Sequence, residues 1–261
     1  MLKLIKHDLI ATKKSFITMI LIIFGFCVIS PLFTIFQIKS SNSEFTKSII
    51  ELMLSTSYLL IVVLTCITII NLFNYLTKSL FSKRGYLTFT LPYKSSTIIL
   101  SKIITTMIWL ILFNLVIYVS STLMLIEINA IVKSILGDEV YIISSDLIFD
   151  LIFYGMSPLD IFINVLLSIV QLLFFIVTYL LSVSLTHSSY IKSTKTSLSA
   201  LIFVGIIAVA SVLDNVISIF MIEINVASTW IYIIKLVLFL IALIVSYILL
   251  IDNVNRHLEL S

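Results

Sequence analysis

The stretch from Ile161 to Leu185 reads IFINVLLSIVQLLFFIVTYLLSVSL, 25 residues without one Asp, Glu, Lys, Arg or His. A helix rises ~1.5 Å per residue, so about 20 apolar residues cross the ~30 Å hydrocarbon core of a bilayer. This run is long enough to cross. Its apolar residues are continuous, unlike the alternating segments of about ten residues that build a membrane barrel. Five other runs are long and apolar too: Phe16–Phe36, Met53–Tyr75, Ile103–Ile126, Leu198–Phe220 and Trp230–Ile251, the last two with one charge each, Asp214 and Lys235. The expected fold is all-α, a single polytopic transmembrane domain over residues 1–261 with six transmembrane helices. Pro31 falls near the end of the first span, where it kinks or ends the helix.

Composition agrees. The chain is 61% hydrophobic and 11% charged, whereas roughly a quarter of a soluble domain is charged. Such a chain must be solvated by lipid. Cys27 and Cys66 both lie inside apolar runs and read as small buried hydrophobes, not as a disulfide or zinc framework. The first apolar run exceeds the core of a signal peptide and no small-x-small site follows it, so no cleaved leader is expected.

Lysine and arginine fix the orientation. With a cytoplasmic N-terminus and six crossings, one side holds Lys3, Lys6, Lys13, Lys14, Lys78, Lys83, Arg84, Lys94, Lys102, Lys192, Lys195 and Arg256. The other side holds only Lys39, Lys47, Lys133 and Lys235. Positive charge accumulates on the cytoplasmic side of membrane proteins, so both termini are expected inside. The acidic residues Glu127, Asp138, Glu139, Asp146, Asp150 and Asp160 gather in or beside the outer connection 127–157.

Two cytoplasmic segments are unusual. Residues 1–15 mix apolar and basic residues, with Leu2, Ile5 and Leu9 on one helical face. That pattern suits an interfacial amphipathic helix; a frayed basic leader is the plainer reading. Residues 78–94 keep Leu80, Phe81, Tyr86, Leu87, Phe89 and Leu91 outside the bilayer beside Lys83 and Arg84. This fits a short amphipathic helix that lies on the membrane or docks into a partner. Gly85 breaks or caps it, Pro92 ends it, and Ser95 or Ser96 caps the helix that follows. A membrane-hugging loop without a partner is the alternative.

The order of these features resembles a known family. A basic amphipathic N-terminus and two spans precede Phe81-x-x-x-Gly85-Tyr86-Leu87-x-x-Thr90-Leu91-Pro92, then Ser101-Lys102 entering the third span and Trp109 one to two turns on. This is similar to the ABC-2 type permeases of low-GC Gram-positive bacteria, the membrane subunits of ABC exporters. The likeness in hydropathy covers the whole chain; the likeness in sequence is confined to about 1–20 and 74–112. The resemblance implies that residues 1–15 form an elbow helix at the inner surface. It also implies that 78–94 forms a coupling helix seated in a cleft of an ATPase subunit, with Phe81, Lys83, Arg84, Gly85, Tyr86, Leu87, Thr90, Leu91 and Pro92 as coupling residues. Two permease subunits, identical or paralogous, would pair with two copies of the ATPase.

The chain has no Gly-x4-Gly-Lys-Ser/Thr phosphate loop. ATP and Mg are therefore expected on the separate subunit, with no cofactor, metal, nucleic acid or catalytic residue in this chain. No ionisable residue falls at the centre of a span, which disfavours ion-coupled transport. It also suits an apolar or amphipathic substrate, such as an antimicrobial or toxic peptide. The competing class is a non-transporting immunity or scaffold protein in the membrane. Asn114 and Gln171 lie near mid-depth, where they hydrogen-bond between helices or line a pathway. Asn71, and Gly205 among the small residues of the fifth span, are further pathway candidates on the family analogy. Finally, Asp214 and Lys235 lie at equal depth, roughly 9 Å inside the outer interface, on two spans joined by a short loop. They pair, or each snorkels to the headgroups, with Glu223 competing for the lysine.

Overall fold

The computed structural model describes the backbone of residues 1–38, 44–81, 85, 93–136, 157–188, 196–224 and 227–257. Its side chains are described over 1–25, 59, 61–81, 85, 93–119, 157–188, 197–221, 223–224, 227, 229–230 and 231–255. Within the described residues there are six helices in chain order: α1 Leu2–Ile38, α2 Glu44–Leu80, α3 Ser95–Leu136, α4 Pro158–Thr186, α5 Thr196–Glu223 and α6 Ser228–His257. No strand occurs among them.

Five described segments are long and apolar enough to cross a membrane: Ile61–Leu80, Ser95–Val119, Pro158–Thr186, Ser197–Met221 and Thr229–Asn255. The chain thus has the architecture of a multi-pass membrane protein. The exposed surface of α5 supports this. Leu201, Val204, Val209, Val212, Val216 and Ile219 all lie outside the protein's own packing. An apolar face of that extent needs lipid or protein against it.

Helix lengths depart from the six expected spans. The interfacial helix expected at 1–15 and the span at 16–36 form one continuous 37-residue helix, α1. No Gly or Pro separates the two stretches, so the backbone ladder has no reason to break. Helix α3 runs for 42 residues from Ser95, about 63 Å at ~1.5 Å per residue, twice the hydrocarbon thickness. It takes in Ser95–Lys102, ahead of the expected third span, and the first part of the expected outer connection; residues 137–156 lie outside the described residues. The carbonyl of Lys94 accepts from Thr97 and Ile98 N–H. Lys94 therefore occupies the N-cap position of α3, ahead of the cap expected at Ser95 or Ser96. Cys66 is exposed, contrary to its expected burial.

Two compact units divide the chain. One comprises Met1–Asp8, Leu72–Met107 and Met156–Ser261; the other comprises Leu9–Asn71 and Ile108–Gly155. In the first, α4 is the central element, packed along α6 and more lightly against α5. Its C-terminal half is buried through Ile176, Leu180 and Val183, matched by Leu76 and Leu80 of α2 and Leu250 of α6. Where α4 and α6 meet, Asn253 Nδ2 donates to Ser184 Oγ at 3.0 Å, a buried pair. The N-terminus of α4 is a reciprocal capping box. Ser157 Oγ accepts from Asp160 N–H at 3.1 Å and Asp160 Oδ2 accepts from Ser157 N–H at 3.1 Å, with Pro158 starting the helix. The pattern Ser-Pro-x-Asp is the sequence signal for it.

In the second unit, Ile23 of α1 and Phe113 of α3 form a small core with Ile20, Ile61, Leu64 and Ile117 around it. Trp109 stacks on Phe16 with ring centroids 5.1 Å apart, and its indole N–H donates to Thr12 Oγ1 at 2.9 Å.

Candidate functional site

The first unit contains a buried ion pair that links three helices. Lys102 Nζ, at the start of α3, donates to Asp8 Oδ1, in the second turn of α1, at 2.7 Å. The Tyr75 hydroxyl on α2 lies 3.4 Å from Lys102 Nζ, and the ammonium sits 5.5 Å from the centre of the Tyr75 ring. Asp8 and Lys102 are 8% and 7% exposed. A charge at that burial is tolerated when it is paired, and here each partner supplies the other's countercharge. Ile98, Ile99 and Ile103, beside Lys102 in α3, are buried as well.

This arrangement brackets the segment 78–94. Helix α2 ends at Leu80 and α3 begins at Ser95. Leu80 and Phe81 are both buried. The Phe81 ring lies 5.5 Å from that of His187, at the end of α4. Its burial gives Phe81 an anchoring position within the chain itself. Gly85 is also buried, and an added Cβ there would strike the Leu80 carbonyl. Only glycine permits that approach of backbone to backbone. Lys83, Arg84, Tyr86, Leu87, Thr90, Leu91 and Pro92 lie outside the described residues.

A stack of aromatic rings fixes α2 beside α4 and α5. Phe73 and Tyr179 are parallel at 3.8 Å, with Phe203 edge-on to Phe73 at 5.5 Å. Thr77 Oγ1 and Tyr179 Oη share a hydrogen bond of 2.7 Å. The ends of α2 and α4 are thereby held by both ring packing and a polar contact.

The pathway candidates fall in both units. In the second unit, Asn71 Nδ2 lies 3.8 Å from Met19 Sδ, a weak acceptor, while exposed Asn114 donates to Leu110 of its own helix at 2.8 Å. In the first unit, Gln171 is half-buried and Gly205 is exposed, with open space where its Cβ would lie. Asp214 and Lys235 are brought together: Lys235 Nζ donates to Asp214 Oδ2 at 3.0 Å. Glu223 is exposed on the same helix as Asp214.

Sequence reasoning passed over Asp8, Tyr75 and Lys102 as a group, and assigned Lys102 to the cytoplasmic positive charge. One signal was available. Asp8 is the only acidic residue in 1–15, among four lysines, and it sits three residues after Ile5. Among the described side chains of α1 the buried positions are Ile5, Asp8, Thr12, Phe16 and Ile23, a stripe at helical spacing. The expected face of Leu2, Ile5 and Leu9 is displaced from it: Leu2 is exposed and Leu9 half-buried.

No family model matches the chain, and no curated protein or solved structure matches it either.

Proposed function

We propose that this chain is the membrane permease subunit of an ATP-driven exporter of the ABC-2 type. It works with a separate ATP-binding subunit in two copies and a second permease, identical or paralogous. It sits in a bacterial plasma membrane with both termini in the cytoplasm. ATP and Mg act in the partner, and the substrate is apolar or amphipathic.

The observation that supports this reading best is the Asp8–Lys102–Tyr75 cluster. It ties the N-terminal turn of α1 to the two helices that bracket residues 78–94. A force applied to the segment is delivered to the end of α2 and the start of α3. Buried charge pairs resist separation strongly, since parting them leaves each charge uncompensated. The cluster therefore makes α1 follow α2 and α3. Gly85, inside the segment, lies against the Leu80 carbonyl at the end of α2. This is the mechanical property that a coupling element requires: a local push from an ATPase becomes a concerted shift of helices.

Charge placement supports the substrate class. The five apolar segments hold their ionisable residues towards their ends, apart from the self-neutralised Asp214–Lys235 pair. A small charged solute finds no free counter-ion in such spans.

The test is a pair of charged substitutions in the segment, Tyr86→Asp and Leu87→Asp, in the chain co-expressed with its ATPase. Both variants insert into the membrane at normal levels, and export falls at least tenfold while ATP hydrolysis continues. Normal export by both variants overturns the coupling role.

A further inference from the structure

In the second unit, α1 has an inward and an outward side. Thr12, Phe16 and Ile23 are buried, and Ile23 packs with Phe113 of α3. On the outward side Ile10, Lys13, Lys14, Ile17, Leu21 and Phe24 are exposed. Steps of three and four residues join them, so they form one stripe along the helix. The stripe has a definite order. Two ammonium groups stand at Lys13 and Lys14, and beyond them Ile17, Leu21 and Phe24 are all apolar. The apolar run Phe16–Phe36 begins directly after this basic pair and Ser15.

Length identifies what covers the apolar part. Lys14 and Phe24 lie ten residues apart. At ~1.5 Å per residue that is about 15 Å, the thickness of one leaflet of a ~30 Å hydrocarbon core. An acyl chain lying on Ile17, Leu21 and Phe24 therefore brings its headgroup to the level of Lys13 and Lys14. Charge identifies the headgroup. Neither ammonium has an ion-pair partner among the described residues, and the acid nearest in sequence, Asp8, is committed to Lys102. At the edge of the hydrocarbon a lysine extends along its own apolar stem to the phosphate layer. A zwitterionic headgroup answers it with a phosphate but sets a second cation beside it. A headgroup whose only charge is the phosphate does not.

We infer that Lys13 and Lys14 form a binding site for an anionic phospholipid, a phosphodiester of an uncharged alcohol such as glycerol, with its acyl chain along Ile17, Leu21 and Phe24. The two ammonium groups donate to the phosphate oxygens and share one negative charge, which relieves the repulsion between neighbouring lysines. A cation beside a membrane surface favours an anionic lipid by about fivefold. The apolar stripe adds nothing to this choice, since acyl chains are common to all headgroups; it sets the depth of the site. The site requires that α1 crosses the bilayer and holds whether or not the chain transports.

Photo-crosslinking of the purified full chain in phosphatidylcholine nanodiscs tests it. Two probes carry the same diazirine-bearing acyl chain, one on phosphatidylglycerol and one on phosphatidylcholine, and labelled residues are located by mass spectrometry. The glycerol probe is expected to label residues 10–24 at least fivefold more than the choline probe, and the exposed face of α5 over 201–219 equally with it. Salt at about 1 M, where the Debye length is ~3 Å, is expected to cut the preference. Lys13→Gln with Lys14→Gln brings the glycerol probe down to the choline level, whereas Lys13→Arg with Lys14→Arg keeps the preference. Excess inorganic phosphate leaves it unchanged. Equal labelling of 10–24 by the two probes in the unmodified chain overturns the proposal and turns the lysines towards an acidic protein surface. A preference that survives the glutamine pair, or that extends over α5, overturns the assignment to these lysines. Loss in the arginine pair, or persistence at high salt, overturns charge as its cause. Loss to inorganic phosphate overturns a lipid in favour of a free anion. The comparison of the two probes needs no variant, so a misfolded variant does not blunt the test.

Discussion

Replacing Lys102 by Met removes one half of the Asp8–Lys102 pair and leaves the other half buried. At 2.7 Å, the gross attraction of the pair is about 6 kcal/mol for an effective dielectric of ~20. Desolvation of the two ions offsets most of that, at several kcal/mol for each ion. The intact pair is therefore close to neutral for stability, while its halves are not. Lys102→Met alone is expected to destabilise by about 3–5 kcal/mol, because the Asp8 carboxylate keeps its desolvation and loses its countercharge. Asp8→Leu alone behaves alike. The double variant, Asp8→Leu with Lys102→Met, is expected to lie within about 2 kcal/mol of the unmodified chain, since no uncompensated charge is then left buried. Denaturation titrations of the four proteins in mild detergent give the coupling energy directly. A coupling of at least ~2 kcal/mol is expected. Additive effects, or a Lys102→Met variant within ~1 kcal/mol of the original, would refute a buried pair as the link between α1 and α3.

Three further outcomes follow from the same packing. Thr12→Val leaves the buried Trp109 indole N–H without an acceptor and is expected to destabilise by about 1–3 kcal/mol, read by the same titration. Gly85→Ala drives a methyl group against the Leu80 carbonyl and is expected to lower stability by about 1–3 kcal/mol, whereas alanine at exposed Gly205 has no such effect. Ser157→Ala removes the N-cap of α4 and is expected to cost about 1 kcal/mol, seen as faster hydrogen exchange in the first turn of that helix.

How much was legible in the sequence follows from which physical constraint was at work. Long uncharged runs such as 161–185 are legible because lipid forbids charge and fixes a minimum length. The Asp214–Lys235 pair was legible for a related reason: a short connection makes α5 and α6 neighbours, and equal depth puts the two charges at one level. Helix ends were less legible. Hydropathy reports where lipid begins, but nothing at Lys13–Phe16 stops a helix, so α1 continues through that point. The ends of α3 behave in the same way. Least legible was the Asp8–Lys102 contact, 94 residues apart in sequence. No local period or spacing encodes a pairing between the second turn of one helix and the first turns of another. The lone acid in a basic segment marks Asp8 as unusual, but it does not name the partner.

The most direct measurement is recovery of the chain from its native membrane with its partners. The chain is solubilised in mild detergent with ATP and vanadate to trap a closed state, purified by a tag, and its companions are identified by mass. The proposed function requires a polypeptide with a phosphate-binding loop at one copy for each copy of the chain, lost when Tyr86 and Leu87 are both replaced by Asp. Recovery of the intact, folded chain with no nucleotide-binding polypeptide, under trapping conditions, contradicts a permease and favours a non-transporting membrane protein.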